Sequence, residues 1–360
     1  MKHIAAKLAA VSLVFALLVS SISVGALAAS TQVKHYTSVV SFGDSIAAGF
    51  SLPDYKAKEE GGRHMVARTR VEGAYPTLVA DAVGATTLVP MAQPGFRTEE
   101  LRALLCEDYD GDYVTKSHLG NLAKQVGGVE EAPDYSQQSF SKQRGEYIAA
   151  AKEADLVLLD IGENDSMMSF LGMISEIAQT GDRSRKEPPE NGLEGYRQAG
   201  EQLVSQVKNM DELVARTQRS LTIIFSDPGL TSLLKETLHK VFDGLTSNYK
   251  IIVERIYELN PDVTIVAVGN YNPFHQWKGL NGDTAQFAKL IQLYYDYIND
   301  YKQAIGSGYK GQYYFVDVSE TPLISDSLKT VLKTRNFDSH PTEAGHRHMA
   351  EQILKVLLEA

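Results

Sequence analysis

The chain is expected to fold as an α/β protein, a mostly parallel central sheet with helices on both faces. Five short apolar runs recur along it, each continuous rather than alternating, as in strands buried on both sides. Between them apolar residues fall at helical spacing. Strand–helix alternation of this kind makes crossover-linked parallel strands.

The strands are expected at Ser38–Phe42, Thr86–Val89, Leu156–Ile161, Val263–Val268 and Tyr313–Val318. Helical periodicity covers Tyr75–Val83, Glu99–Leu105, Glu146–Ala154, Tyr196–Arg216, Leu230–Leu259 and Thr284–Ile305. Thr342–Leu358 closes the chain, with Ala350, Ile353, Leu354 and Leu357 on one face. Arg183–Asn191 is the most loop-like stretch, its charges facing solvent. The surplus length lies between the third and fourth strands, about residues 166–261, and reads as a helical insertion. No internal repeat or long linker divides the sequence.

The first thirty residues carry a different pattern. Lys2 and Lys7 precede an uncharged stretch whose strongly apolar core runs from about Leu8 to Val19, followed by serines and Ala26-Leu27-Ala28. A basic start, a short apolar core and a small-x-small end make a secretory signal, expected to be cleaved near Ala28. A membrane anchor needs about 20 apolar residues, and the serines interrupt this core too early. Residues 1–28 are therefore expected to be a signal peptide and 29–360 a single domain, exported to the extracellular or cell-envelope space. No later stretch is long enough to span a bilayer, and no cysteine lies near the cleavage site to carry a lipid.

Composition narrows the partners. Of 360 residues, 43% are hydrophobic and 22% charged, which argues against wholesale disorder. The formal charge of -10 argues against a nucleic-acid partner, which needs a basic stripe to meet phosphates. The one cysteine, Cys106, excludes an intramolecular disulfide and a multi-cysteine zinc site, and on an apolar helix end it reads as packing.

In parallel sheets ligands sit beyond the carboxyl ends of the strands, so the residues there carry the functional information. After the first strand comes Gly43-Asp44-Ser45. Ser45 can expose its hydroxyl and its own N–H to the cleft, or simply cap a helix. The segment lacks the G-x-S-x-G of a nucleophile elbow, because position 47 is alanine. After the second strand, Gly95 lets the backbone approach a ligand and donate its N–H, or makes a turn before a helix capped by Thr98. After the third comes Gly162-Glu163-Asn164-Asp165, where Asn164 offers an amide donor to an oxyanion or forms an Asx turn. Before the last helix, Asp338-Ser339-His340-Pro341 puts an acid and a base on one loop. His340 can serve as base for Ser45 with Asp338 orienting it. His346 and His348 read as surface histidines.

Together and in this order the four segments resemble the SGNH, or GDSL, hydrolases, with Gly162-x-Asn164-Asp165 close to that family's G-x-N-D. The resemblance spans Ser41 to about Ala350. It implies a flavodoxin-like three-layer α/β/α sandwich. It also implies Ser45 as nucleophile, His340 as base and later acid, and an oxyanion hole made by the Ser45 N–H, the Gly95 N–H and the Asn164 side chain. No metal or organic cofactor is implied. The substrate would be an acyl ester, small or polymer-borne, and the chain is expected to act as a monomer. The family's usual acid lies three residues before the histidine, where this chain has Phe337. Asp338, two residues before, is taken as the third member, with a Ser–His dyad as the alternative. The implied activity is an exported serine esterase acting on lipids or acylated carbohydrates. A glycan acyltransferase or deacetylase using the same site, or a binding protein that keeps the fold without the chemistry, stand beside it.

Three further features are ambiguous. Glu107–Asp112 is an acidic run without EF-hand spacing, read as a solvated turn. Tyr294, Tyr295, Tyr297 and Tyr301 make either a sugar-stacking surface or helix packing. Met167, Met168 and Phe170 open an apolar segment after Asn164, either lining an acyl-chain pocket or forming one more core helix.

Overall fold

Five strands, β1 (Ser38–Gly43), β2 (Thr87–Pro90), β3 (Leu156–Asp160), β4 (Thr264–Val268) and β5 (Tyr313–Val316), form one sheet in the order β2-β1-β3-β4-β5. Every neighbouring pair is parallel. All five lie within two residues of their expected bounds. The computed structural model describes residues 35–58, 69–106, 137–180, 195–196, 199–200, 202–203, 206, 210–273, 275, 283–319 and 340–359. Contacts divide the chain between His35 and Tyr36, and the whole sheet belongs to the unit that begins at Tyr36. The export segment 1–28, the run Glu107–Asp112, the loop Arg183–Asn191 and Asp338 lie outside the described residues.

The apolar continuity of the strands has its cause in the sheet. β3 and β4 are buried throughout, and β1 is buried from Val39 onward. The edge strands β2 and β5 have a neighbour on one side only and are partly exposed. On one face Val40, Phe42, Val157, Leu159, Ile265 and Ala267 form a continuous core. Against it pack α3 (Thr98–Leu105), α4 (Gln137–Glu153) and α7 (Pro228–Leu259) through Leu101, Leu104, Tyr147, Ala151, Tyr249 and Ile252. Elsewhere α2 (Tyr75–Ala82) and α9 (Glu343–Glu359) pack on each other, α2 also on β2 and α9 on β5. A short helix, α1 (Pro53–Lys58), follows β1 where none was expected. It is less than two turns long, too short for a periodic signal.

The stretch between β3 and β4 holds α5 (Glu163–Thr180), α6 (Met210–Ser226) and α7, which pack on one another. α7 starts cleanly. Pro228 sits at its first position, and the Asp227 carboxylate accepts from the Gly229 N–H at 2.8 Å. α6 runs beyond the expected Arg216 through Leu221-Thr222-Ile223-Ile224, a β-branched run of weak helix propensity. Burial of Leu221 and Ile224 outweighs that propensity. α4 likewise starts at Gln137 rather than Glu146. α8 (Asp283–Ile305) and a 3-10 turn at Gly306–Gly308 lead into β5. No described helix is long and apolar enough to cross a membrane.

His346 corrects the sequence reading. It is fully buried on α9 rather than exposed, while His348 is half-buried. Its Nδ1 accepts the Tyr75 N–H at 3.3 Å, and its ring stacks on Tyr75 at 6.0 Å. His346 is four residues before Ala350, so it stands on the helix face that packs inward. Burial, with His340 adding to it, pushes its pKa down to about 3 from the ordinary 6.5. The folded chain thus holds this histidine neutral, and its contribution to stability is complete above about pH 6.5 and lost as pH falls towards 3. From about pH 6.5 to about pH 4.5 the wild type should lose about 2–3 kcal/mol more than His346→Gln, measured by urea unfolding at each pH. Parallel losses in the two proteins would contradict the burial of a neutral ring.

Candidate active site

The sheet order reverses at β1. The chain goes outward to β2, returns across β1 to β3 and continues the other way. Connections leaving β1 and β3 therefore depart to opposite faces, and a crevice opens beyond their carboxyl ends. The sequence-predicted residues follow these ends.

Gly43 ends β1 beside Asp160, the last residue of β3. A Cβ on Gly43 would stand 2.2 Å from the Asp160 carbonyl oxygen and 2.9 Å from the Ala47 Cβ, so only glycine fits. The Asp44 N–H donates to that same carbonyl at 3.2 Å. The chain then turns tightly. The Ala48 N–H donates to the Asp44 carbonyl and the Phe50 N–H to the Ser45 carbonyl, both at 3.0 Å, and the Asp44 carboxylate takes the Ile46 N–H at 3.0 Å. The Ser45 N–H enters none of these bonds, as expected of the first donor of a turn. Ser45 is half-buried at this turn.

The segment after β2 stays with β1 a little longer, through the Gln93 N–H to the Gly43 carbonyl at 3.1 Å. Gly95 then takes φ +82°, a conformation glycine adopts without strain, and its N–H enters no backbone hydrogen bond among the described residues. α3 begins one residue earlier than a Thr98 cap would place it. The Arg97 N–H donates to the Glu100 carboxylate at 2.7 Å, and the Arg97 guanidinium meets the same group at 2.8 Å. This cap uses the acid three residues on, which accepts from both the backbone and the side chain of Arg97 and which a cap at Thr98 lacks.

The residues after β3 each reach a different element. The Asn164 Nδ2 donates to the Phe96 carbonyl at 2.9 Å, bringing the amide beside Gly95. An amide nitrogen has two N–H donors, so this bond leaves one for a ligand. Asp165 accepts the Thr98 N–H at 2.8 Å and its hydroxyl at 2.5 Å, and burial pushes its pKa up to about 6 against those bonds. Glu163 accepts from the Tyr295 hydroxyl and, at 3.0 Å, from the Asn270 amide; burial pushes it up to about 7. All three stand in the first turn of α5, where the helix dipole favours negative charge.

His340 stands just before α9. Its ring lies 4.9 Å from that of Phe50, whose N–H closes the Ser45 turn. The structure thus brings Ser45, Gly95 and Asn164 to adjacent strand ends and His340 to the Ser45 turn. Asp338 and the side chains of Met167 and Met168 lie outside the described residues. Phe170 is 2% exposed and packs on Tyr294 at 5.6 Å, a core position. Tyr294 and Tyr295 face inward while Tyr297 is 53% exposed, so the tyrosines of α8 split between core and surface. Cys106 is buried.

Beneath the site lies a cluster that sequence reasoning missed. Asp44 and Asp160 are buried near each other, and Lys302 of α8 is wholly buried in their field. The Lys302 Nζ donates to the Val268 carbonyl at 3.0 Å and lies 5.2 Å from the Tyr249 ring centre. Burial pushes its pKa down to about 8, against the pull of Asp160, Asp44 and Glu163. Asp160 accepts from the Tyr75 hydroxyl at 3.0 Å and is pushed up to about 6 by burial, with Lys302 holding it lower than it would otherwise stand. Asp44 is driven much further up, by burial and by the Asp160 charge. The signal was available in part, since Asp160 is a charge at the end of an otherwise apolar strand.

A parallel sheet of this order, with helices packed on it, is the architecture of the SGNH α/β hydrolases. The chain belongs to the GDSL-like lipase/acylhydrolase family, whose model matches residues 39–353, and is a carboxylic ester hydrolase. Similar solved structures include the extracellular lipase from Streptomyces rimosus (17% identity, 90% of this chain and 99% of that one, TM-score 0.45). Phospholipase A1 from Streptomyces albidoflavus NA297 is similar at 16% identity, 90% and 98% coverage and a TM-score of 0.42. A family 2 carbohydrate esterase from Corynascus thermopiles, with its carbohydrate-binding domain, is similar at 14%, 89% and 65%, with a TM-score of 0.36. No curated protein sequence matches the chain.

The close approach at Gly43 can be tested against a glycine in open space. Gly43→Ala should lower unfolding stability by about 1–3 kcal/mol, because backbone must shift. Gly145→Ala, on α4 with nothing near its added Cβ, should raise stability by about 0.5–1 kcal/mol. Equal changes in urea midpoint for the two variants would refute the contact.

Proposed function

We propose that this chain is an exported serine esterase acting on acyl esters of lipids or carbohydrates through an acyl-enzyme on Ser45. The observation that supports this reading is that Ser45, Gly95 and Asn164 follow the carboxyl ends of three neighbouring strands, β1, β2 and β3. Among the described residues the Ser45 and Gly95 N–H groups enter no backbone hydrogen bond, and the Asn164 amide is fixed beside Gly95 by the Phe96 carbonyl.

In the proposed reaction, His340 takes the Ser45 hydroxyl proton as the oxygen attacks the ester carbonyl. A serine hydroxyl is a poor nucleophile without such a base. The carbonyl electrons move onto oxygen, and the three donors hold that charge. Each such donor is worth about 3 kcal/mol, because it is aimed before the charge forms. As the oxyanion collapses, the bond to the alcohol breaks and His340 returns the proton to it. Water then attacks the acyl-enzyme by the same route, releasing the acid and restoring Ser45. Asp338 orients His340. Met167 and Met168 follow the oxyanion donor along α5 and border the acyl group, with the buried Phe170 packing behind them. Residues 1–28 direct export and are removed.

Ser45→Ala and His340→Ala should abolish turnover of a panel of acyl esters from acetyl to long-chain, while Asp338→Ala slows it. A serine-directed fluorophosphonate should label wild type and not Ser45→Ala. Equal labelling of the two would sink the nucleophile assignment, and normal turnover by Asp338→Ala would leave a Ser–His dyad. Met168→Asp should reduce long-chain turnover more than acetyl turnover. N-terminal sequencing of protein recovered from the growth medium should begin near Ala29.

A further inference from the structure

We infer that Glu163 is a positioning residue for Asn164, clamped by the Tyr295 hydroxyl of α8 and the Asn270 amide after β4 so that the first turn of α5 keeps the Asn164 amide aimed into the crevice. This rests on the reading of Asn164 as an oxyanion donor.

An oxyanion donor is effective only if it is held to within about 0.5 Å and 10–20° of its working geometry. Asn164 has one visible tether, to the Phe96 carbonyl, and it stands in the first turn of a helix, where backbone N–H groups lack intrahelical partners. Glu163, its immediate neighbour, anchors that turn to other elements. One carboxylate oxygen accepts from Tyr295, the other from Asn270 at 3.0 Å.

The two partners are themselves fixed. The Asn270 N–H donates to the Asn299 side-chain carbonyl oxygen at 2.7 Å, and the Asn299 amide donates back to the Asn270 carbonyl at 2.9 Å. Two residues earlier the Val268 carbonyl takes the Lys302 ammonium at 3.0 Å. Tyr295, Asn299 and Lys302 are spaced by four and three, so they line one face of α8. That single face holds the loop after β4 and, through Tyr295 and Asn270, the loop after β3. With Asp165 bound to Thr98, the side chains of 164 and 165 hold the segment before α3 while Glu163 holds α8 and the loop after β4.

The geometry also says which substitution should rescue. Glutamine at 163 keeps the shape. Its carbonyl can accept from Asn270 and its amide can donate to the Tyr295 oxygen, since a phenol both donates and accepts. Alanine removes both bonds.

The test is steady-state kinetics on an acetyl ester with wild type, Glu163→Ala, Glu163→Gln, Asn164→Ala and the double variant Glu163→Ala/Asn164→Ala. Glu163→Ala should lower kcat about 10-fold or more with KM within about two-fold. Glu163→Gln should return kcat to within about two-fold of wild type. In the Asn164→Ala background, Glu163→Ala should cost nothing further, because its effect passes through that amide. Multiplicative losses in the double variant, or an unchanged kcat in Glu163→Ala, would overturn the inference while leaving Asn164 in its role. If Asn164→Ala itself leaves kcat intact, the oxyanion reading fails and this inference with it. Should Glu163→Ala not fold, Tyr295→Phe removes one hydroxyl only, and the same comparison with Asn164→Ala decides.

Discussion

The site depends on a backbone contact. At their carboxyl ends β1 and β3 approach until the Asp160 carbonyl sits where a Cβ of Gly43 would be, and the Asp44 N–H closes on that carbonyl at 3.2 Å. This locks the register of the two inner strands at the point where the sheet order reverses. Ser45 lies two places past Gly43 and Asn164 four past Asp160, so both segments leave the sheet from this one contact. The Gln93 N–H on the Gly43 carbonyl extends the same constraint to the loop that carries Gly95.

The contact has an electrostatic consequence. It draws the side chains of Asp44 and Asp160 together into the interior, where carboxylates are costly. One buried ammonium, Lys302, faces them. Two acids and one cation cannot all be charged cheaply. Burial and the Asp160 charge push the Asp44 pKa well up, while Lys302 and the Tyr75 hydroxyl hold Asp160 lower than burial alone would. The second Asp44 oxygen has no hydrogen-bond partner among the described residues, in line with that upward push. Such clusters add little net stability, since desolvation offsets the attraction. Here the cluster ties α8 and α2 to the ends of β1, β3 and β4, a matter of registration more than of strength.

The strands were legible because their cause is local. A run such as Leu156-Val157-Leu158-Leu159 is buried on both faces whatever surrounds it, and its period shows in the sequence. The site residues were legible because strand ends fix where function sits. The supports of the site were not. Glu163 is bound by residues 107 and 132 positions away, and no local pattern announces such pairings. His346 was missed for a different reason. Its polar neighbours Arg347 and His348 mask its place on the apolar face, though counting four back from Ala350 would have found it. The cap of α3 was misplaced by one residue because arginine is not a customary cap, and here the acid at 100 closes the turn from its own side.

α5 is gripped twice by the same pair of residues on α8. At its first turn Glu163 meets Tyr295; two turns on, Phe170 lies against Tyr294, which in turn contacts Phe242 of α7. A helix held at one point can pivot, and a helix held at two points along its length cannot rotate about its axis without breaking one of them. The donor at its N-terminus is therefore insulated from what happens along the rest of α5 and in α6. Side chains further along the helix can change to suit different acyl groups while Asn164 stays where it is, because aim and shape are set by different contacts.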